Sequence, residues 1–314
     1  MIGSHQVTLG MNGFEMLLTT GASGFISKNF SSNFTIGKNE CDLTNLEATI
    51  KIIKEIAPTS IIHFAAKHDS GLTMKKNHVS YINDNTRIDL NILQAAHLAN
   101  VDNVLMISSI SSLMPTSTNS IKSSSLKFGD VDLSNFGYNF SKQIAIAACK
   151  SYQLDFARNY KSVLLGNIYG PNDNFNLDGN VVATIIYRTL LAREKGENLH
   201  LYGNGKDLRN FTYVKDLCAA LPKILKDKTI LDPTIVANPK PYTMIQIANI
   251  IKDKCGFLGN IIFDHQTNYI ETRKIVDLTT VPWFMKNTDW TLFEKGVEET
   301  LESNEKLILN SIKQ

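Results

Sequence analysis

At 314 residues the chain is long enough for one large α/β domain or two interleaved lobes with a sizeable core. Its 43% hydrophobic and 20% charged residues are ordinary for a soluble globular protein, and no run of about 18 apolar residues suggests a membrane span. The 32 basic and 30 acidic residues nearly cancel, and no basic tract points to nucleic acid or an anionic membrane.

Residues 1–13 hold no Lys or Arg and no long apolar block, so they read as a loose extension and not as a secretory signal. Glu15 to Thr20 is a short apolar run followed by Gly21-Ala-Ser-Gly24-Phe-Ile-Ser27, the pattern of strand, Gly-rich turn and helix start. Gly21 would allow a tight turn, and Gly24 would let backbone N–H groups approach a pyrophosphate at a helix N-terminus. Ser27 stands where a third glycine is usual. Phe34–Ile36 reads as the second strand, ending at Lys38 and Asn39. A cation there suits a ribose 2′-phosphate and favours NADP over NAD, and a solvated turn lysine is the alternative. Thr44, with Glu47 three residues on, predicts a capping box for a helix running to Ile56.

Ser60–Ala66 is a continuous apolar strand, as in a parallel sheet covered on both faces. Ala65 and Ala66 at its end could let a flat cofactor lie close, whereas His63 reads as a packed core histidine. Helical periodicity spans Tyr81 to Ala99, and the strand Asn103–Ile107 ends in Ser108-Ser109-Ile110-Ser111-Ser112. A hydroxyl at the carboxyl end of a parallel strand lies where α/β sheets place ligands.

Tyr138 and Lys142 are four residues apart on a helical stretch and share one face. A neighbouring ammonium lowers a phenol's pKa, so the pair could give or take a proton near neutral pH. A strand at Ser162–Leu165 follows, then a polar loop, Gly166–Phe175. The remainder predicts helices at Val181–Lys195, from Asp216 to Leu225, at Thr243–Lys254 and at Leu292–Ile312, with strands at Leu199–Tyr202 and Ile261–Asp264. The alternation predicts an α/β, Rossmann-like doubly wound parallel sheet over residues 14–168, to which 198–218 return. Residues 169–314 form a smaller, mainly C-terminal α/β substrate lobe. Cys41, Cys149, Cys218 and Cys255 are widely spaced and read as reduced thiols of a cytoplasmic protein, and the His residues form no metal motif.

Several motifs in this order resemble an extended short-chain dehydrogenase/reductase from about Met16 to the last helix. They are Thr20-Gly-Ala-Ser-Gly-Phe-Ile26, Asp42-Leu43, His63-Phe-Ala-Ala66, Asp84-Asn85, Ser108-Ser109, Tyr138-x-x-x-Lys142, Tyr169-Gly-Pro171 and Arg209-Asn-Phe-x-Tyr-Val-x-Asp-Leu217. Within that family, Ala65-Ala-Lys67, Tyr152, Arg158–Val163, Asn167–Phe175, Gly256–Asp264 and Arg273-Lys274 are most similar to the GDP-L-fucose synthase family, the GDP-4-keto-6-deoxymannose epimerase/reductases.

That resemblance implies NADPH-dependent reduction of a 4-keto-6-deoxy sugar linked to GDP or another nucleoside diphosphate. It also implies a homodimer packed through the helices Tyr81–Ala99 and Tyr138–Tyr152. It makes Tyr138 the proton donor, Lys142 its tuning group and Ser109 the catalytic serine, with Ser108 and Ser111 as alternative registers. Around the cofactor it places Gly21, Ser23, Gly24, Phe25, Ile26, Lys38, Asp42, Leu43, Ala65, Ala66, Lys67, Tyr138 and Lys142. Around the substrate it places Ser109, Ser111, Asn167, Asn180, Val181, Tyr202, Arg209 and Arg273.

The family's epimerising Cys and His fall at Ser111 and Asn180 here. A Ser hydroxyl is a far weaker acid than a thiol, and Asn transfers no proton near neutral pH. The expectation is therefore a reductase without C3/C5 epimerisation. Ile110-Ser111 stands where related dehydratases carry Asp-Glu, which argues against 4,6-dehydration. The rivals are a 4-epimerase holding NAD, a bifunctional epimerase/reductase, an alcohol dehydrogenase on a similar substrate, and a non-catalytic cofactor-binding scaffold. The sugar, hexose or heptose, and the base are left open. Asn268-Tyr-Ile270 replaces the family's Pro-Asp-Gly turn, so the substrate lobe is expected to be reshaped there.

Overall fold

The computed structural model describes residues 16–69, 75–113, 121–230, 233–264, 273–277 and 282–313. The extension 1–13, Pro115 and the Asn268–Ile270 segment lie outside them. The strands β1 (Leu17–Thr20), β2 (Phe34–Ile36), β3 (Ser60–His63), β4 (Asn103–Ser109) and β5 (Asn159–Leu165) form one parallel sheet, with helices α1 (Leu46–Ile56), α2 (His78–Leu98) and α3 (Phe136–Phe156) between them. β1, β3 and nearly all of β5 are buried on both faces, as in a parallel sheet covered on both sides.

Beyond β5 come β6 (Asn167–Tyr169), α4 (Val181–Lys195), β7 (Leu199–Tyr202), β8 (Leu208–Tyr213), α5 (Val214–Lys226) and β9 (Thr234–Val236). The main sheet has the order β2-β1-β3-β4-β5-β9, so its sixth strand is one that the sequence reading did not assign. The strands within residues 198–218 find their partners outside the main sheet. β7 pairs with β11 (Ile261–Asp264), and β8 joins β6, β10 (Pro241–Thr243) and β12 (Arg273–Lys274). It is α5 and β9 that lead back to the main sheet. Helices α4, α6 (Met244–Lys254) and α8 (Phe293–Ile312) pack on one another in the second half, after the short α7 (Trp283–Lys286). Lys161 of β5, fully buried, donates to the carbonyls of Ile224 (2.8 Å), Leu225 (3.3 Å) and Asp227, and so closes the C-terminal end of α5.

Two local expectations are corrected. No α-helix follows the glycine turn, only a 3₁₀ turn at Ser27–Asn29. The few residues between Gly24 and Phe34 include Asn29, Ser31, Ser32 and Asn33, which favour turns over helix interiors. Where a longer helix would cover β1 and β2, Thr19 instead hydrogen-bonds Ser32 (2.9 Å) and Thr35 (2.8 Å) through their hydroxyls. The cap of α1 is Asn45, whose Oδ1 accepts the Ala48 N–H at 3.0 Å, not Thr44. The Thr44 N–H and hydroxyl are both taken by the Asp42 carboxylate, at 3.0 and 2.8 Å. At α6 the capping box between Thr243 and Gln246 is complete. Among the described residues, no helix is long and apolar enough to cross a membrane.

Two glycines fix the approach of elements near the sheet's carboxyl edge. Gly21 has φ +78°, and a Cβ there would stand 2.9 Å from the Ala65 backbone, so only glycine lets the first turn lie on the end of β3. A Cβ on Gly137 would stand 2.1 Å from the His78 carbonyl oxygen, so α3 is seated directly on the start of α2. Gly137→Ala must force these helices apart, and we expect it to cost about 1–3 kcal/mol or more in chemical denaturation. Gly196→Ala, at a φ of +65° but in open space, gives the cost of backbone strain alone as its control.

Candidate active site

Strand order reverses beside β1, with β2 on one side and β3 on the other, and a cleft of about 850 Å³ opens at the carboxyl edge of the sheet. Its walls come from the glycine turn, the ends of β3 and β4, the first turns of α3, the loop after β6 and the N-terminus of α4. Asn29 ties two of these walls together, since its amide donates to the carbonyls of Phe25 (2.9 Å) and Pro171 (2.8 Å).

Ser23, Gly24, Phe25, Ile26, Ala66, Ser109, Ser111, Tyr138, Lys142, Asn167, Asn180 and Val181 all line this cleft. Gly21 and Ala65 pack on one another beside it. Lys67 lies outside the lining, held by Asp84 at 2.8 Å and by the Ser80 hydroxyl at 2.5 Å. Lys38 and Asp42 are exposed near the end of β2, and Leu43 is buried in the core beside α1. Glu40 also folds back there, accepting the Gly37 N–H at 2.7 Å. Tyr202 is 72% exposed, with the Arg188 guanidinium 5.1 Å from its ring centroid. Arg209 reaches Asp207 at 3.4 Å and lies two residues from the cleft-lining Phe211 on β8. Arg273 belongs to β12, and its side chain lies outside the described residues.

The serines at the end of β4 are wired to one another. Ser109 is the N-cap of a 3₁₀ turn, and its Oγ accepts the Ser111 N–H (3.2 Å) and hydroxyl (2.9 Å). The Ser109 proton is thereby left to point at a ligand oxygen in the cleft. Ser111 spends its own proton on Ser109. Ser108 also lines the cleft, but it is buried and its Oγ has no partner.

Tyr138 and Lys142 share a face of α3, and Lys142 is only 2% exposed. Its ammonium donates to the fully buried Asp89 of α2, at 3.0 Å to Oδ2 and 3.4 Å to Oδ1. Asp89 Oδ1 also lies 3.1 Å from His63 Nε2, and His63 Nδ1 lies 2.8 Å from the Thr20 hydroxyl, which in turn accepts the Ala65 N–H at 3.0 Å. Burial by itself would discharge Lys142, but the Asp89 carboxylate outweighs it and raises the ammonium above its ordinary range. Burial disfavours the Asp89 carboxylate too, yet Lys142 and His63 hold it below the usual range. Burial keeps His63 neutral.

The phenol departs from expectation. Burial pushes Tyr138 up, Lys142 pulls it down and Asp89 pushes it up again, so that it sits above its ordinary value. The lysine does pull the phenol down, as predicted, but burial outweighs it and the Asp89 carboxylate adds to the rise. Tyr138 is therefore a neutral phenol, fit to donate a proton.

Further cleft residues carried no pattern in the sequence. The His68 ring meets the Tyr138 ring edge-on, with centroids 5.4 Å apart. Asp173 is 8% exposed, and its Oδ1 accepts the Asn174 N–H and the Asn180 amide, both at 2.8 Å, while Oδ2 has no partner. Asn180 sits at the N-cap of α4, where its side chain makes no cap hydrogen bond, and its Nδ2 donates to Asp173. Among the described residues, no group of three or more His, Cys, Asp or Glu could hold a metal ion.

A family model described as the NAD dependent epimerase/dehydratase family matches residues 1–236. A GDP-L-fucose synthase from Dictyostelium discoideum is 26% identical over 300 residues, covering 91% of this chain and 94% of that protein. The crystal structure of a GDP-L-fucose synthetase from Naegleria fowleri bound to NADP has a TM-score of 0.82 at 23% identity, covering 93% of this chain and 92% of that one. A GDP-mannoheptose C4 reductase from Campylobacter jejuni with NADP bound has a TM-score of 0.81 at 18% identity, covering 92% and 98%. These structural likenesses establish a shared fold.

Burial pushes the Asp173 carboxyl up to about 6, with the Asn174 and Asn180 hydrogen bonds only partly opposing it. Its folded value lies above the unfolded value of about 3.9, so its contribution is fully present below about pH 3.9 and is lost as pH rises through about 6. Asp173→Asn removes this titration. Its stability relative to the wild type should therefore improve as pH rises from about 4 to about 6, by up to about 1.4 kcal/mol for each pH unit, and stay level above that in denaturant unfolding.

Proposed function

We propose, for a chain that belongs to the NAD dependent epimerase/dehydratase family, that it is an NADPH-dependent reductase of a GDP-linked 4-keto-6-deoxy sugar, hexose or heptose, acting without C3/C5 epimerisation. The observation that carries this reading is the convergence of Ser109, Tyr138 and Lys142 on one cleft in which Ser111 is a weak acid and Asn180 no acid or base near neutral pH, each donating to a neighbour.

The residues fit a dinucleotide. Gly21 keeps the first turn close to the end of β3, a Cβ on Gly24 would crowd the Gly21 carbonyl oxygen, and Ser23 to Ile26 face the cleft. With only a 3₁₀ turn behind them, backbone N–H groups must hold a pyrophosphate with little help from a helix dipole. Lys38 stands near the end of β2, where a cation suits a 2′-phosphate. NADPH supplies the hydride when bound.

The chain's own groups then handle the oxygen. Ser109 donates a hydrogen bond to the C4 carbonyl oxygen, and Tyr138 gives that oxygen its proton as the ketone becomes an alcohol. Lys142 keeps a positive charge beside the phenolate left behind, which regains its proton from water. Arg209, held near the cleft on β8, suits the diphosphate as a guanidinium donor.

A second reading, a 4-epimerase holding NAD, draws on Glu40, whose carboxylate lies at the end of β2 and suits a ribose 2′-hydroxyl. Consumption of NADPH in proportion to product separates the two, because an epimerase returns its hydride. Reduction of GDP-4-keto-6-deoxymannose by NADPH in deuterated water should leave C3 and C5 unlabelled at turnover rates. Deuterium at either carbon would overturn the claim that epimerisation is absent. Tyr138→Phe should lower kcat by about 10²–10⁴-fold, and unchanged turnover would point to a scaffold role.

A further inference from the structure

The cleft reading names Tyr138, Lys142 and Ser109, but the most deeply buried charge beside them belongs to a residue with no place in it. Asp89 is 0% exposed, and both of its oxygens are engaged. It sits on α2, one helix away from the Tyr138–Lys142 pair, and it is the partner that the structure gives the buried ammonium.

The hydrogen bonds around it allow one arrangement of protons. An ionised carboxylate only accepts, so a neutral His63 must present Nε2–H to Asp89 and a bare Nδ1 to Thr20. Thr20 therefore donates to His63 and accepts from the Ala65 N–H. A chain of donors thus runs from a backbone amide at the end of β3 to the carboxylate that grips Lys142. It fixes Asp89 in position and in charge.

We propose that Asp89 is a positioning residue of the active site, oriented by His63 and Thr20, which holds Lys142 in place and compensates its charge so that Tyr138 enters the reaction as a neutral proton donor. The proposal deepens the reductase reading and rests on it for its purpose, because reduction needs a phenol that gives a proton. The groups facing Lys142 and Tyr138 are Asp89 from α2, His63 from β3 and His68 from the segment after β3, with Asp69 beside His68 and Cys149 further along α3. Burial and the Lys142 charge keep His68 uncharged, and burial does the same for the Cys149 thiol. Of these groups, only Asp89 brings a charge into direct contact with the ammonium. When Asp89 is neutral, the Tyr138–Lys142 pair carries an uncompensated positive charge and releases its first proton more readily, as a coupled pair.

The test reads phenolate absorbance, so it needs no substrate. The titration of each protein, minus that of its Tyr138→Phe counterpart, isolates one tyrosine among the ten in the chain. In the wild type, Tyr138 should ionise above the ordinary tyrosine value of about 10, and ionisation near neutrality would overturn the proposal without any further variant. In Asp89→Asn, and in Asp89→Ser, whose smaller side chain admits water to the ammonium if the amide does not fold, ionisation should begin at least about one pH unit lower. Asp89→Glu, which restores the charge, should move it back. The alkaline limb of kcat for NADPH-dependent ketone reduction should shift in the same direction in the same variants. Unchanged Tyr138 ionisation in a folded Asn or Ser variant overturns the assignment of Asp89. Absence of ketone reduction in the wild type counts against the reductase reading alone and leaves the absorbance result standing.

Discussion

Two opposite charges, Lys142 and Asp89, sit 3.0 Å apart where almost no water reaches them. Each alone would be costly to bury, and losing one partner of such a pair typically costs about 3–5 kcal/mol. That penalty constrains the architecture around them. Helices α2 and α3 must approach closely enough for a lysine on one to meet an aspartate on the other, and Gly137 against the His78 carbonyl permits that approach. β3 must supply His63, and β1 must supply Thr20 behind it. The same convergence sets Tyr138 at the edge of the cleft. The electrostatic core of the first half and the placement of Tyr138 are thus one arrangement.

The cleft is built with an economy at one end. The first crossover from β1 to β2 is reduced to a 3₁₀ turn, and the sheet surface that a helix would have covered carries hydroxyls bonded among themselves. Asn29 uses this short crossover to reach the Pro171 carbonyl on the opposite wall. A short turn at this point exchanges helix dipole for a direct strut between the two walls.

At the other end the cleft wall carries Ser111, a far weaker acid than a thiol, and Asn180, which transfers no proton near neutral pH. Ser111 is a donor to Ser109, and Asn180 is a donor to Asp173. Both are satisfied by neighbours instead of being poised toward a carbon. Their hydrogen bonds tie down the cleft wall that also holds Tyr138.

Much of this could be read from the chain itself. Alternation of apolar strands and periodic helices is a local property, so β2, α4, β7 and β11 fall where their residues predict them. The glycine turn and the Tyr138–Lys142 spacing place the site at the sheet's carboxyl edge for the same reason. Tertiary structure alone decided the rest. No spacing rule links Asp89 to Lys142, 53 residues away, or His63 to Asp89, 26 residues away, so neither the burial that raises the phenol nor the carboxylate that adds to the rise left a mark in the pattern. Nor could composition tell that Asn45 would displace Thr44 as a cap, or that β9 would complete the sheet. Periodicity reports which face of an element is buried. Which charges meet across that face depends on the packing of whole elements against one another, and that is settled only in three dimensions.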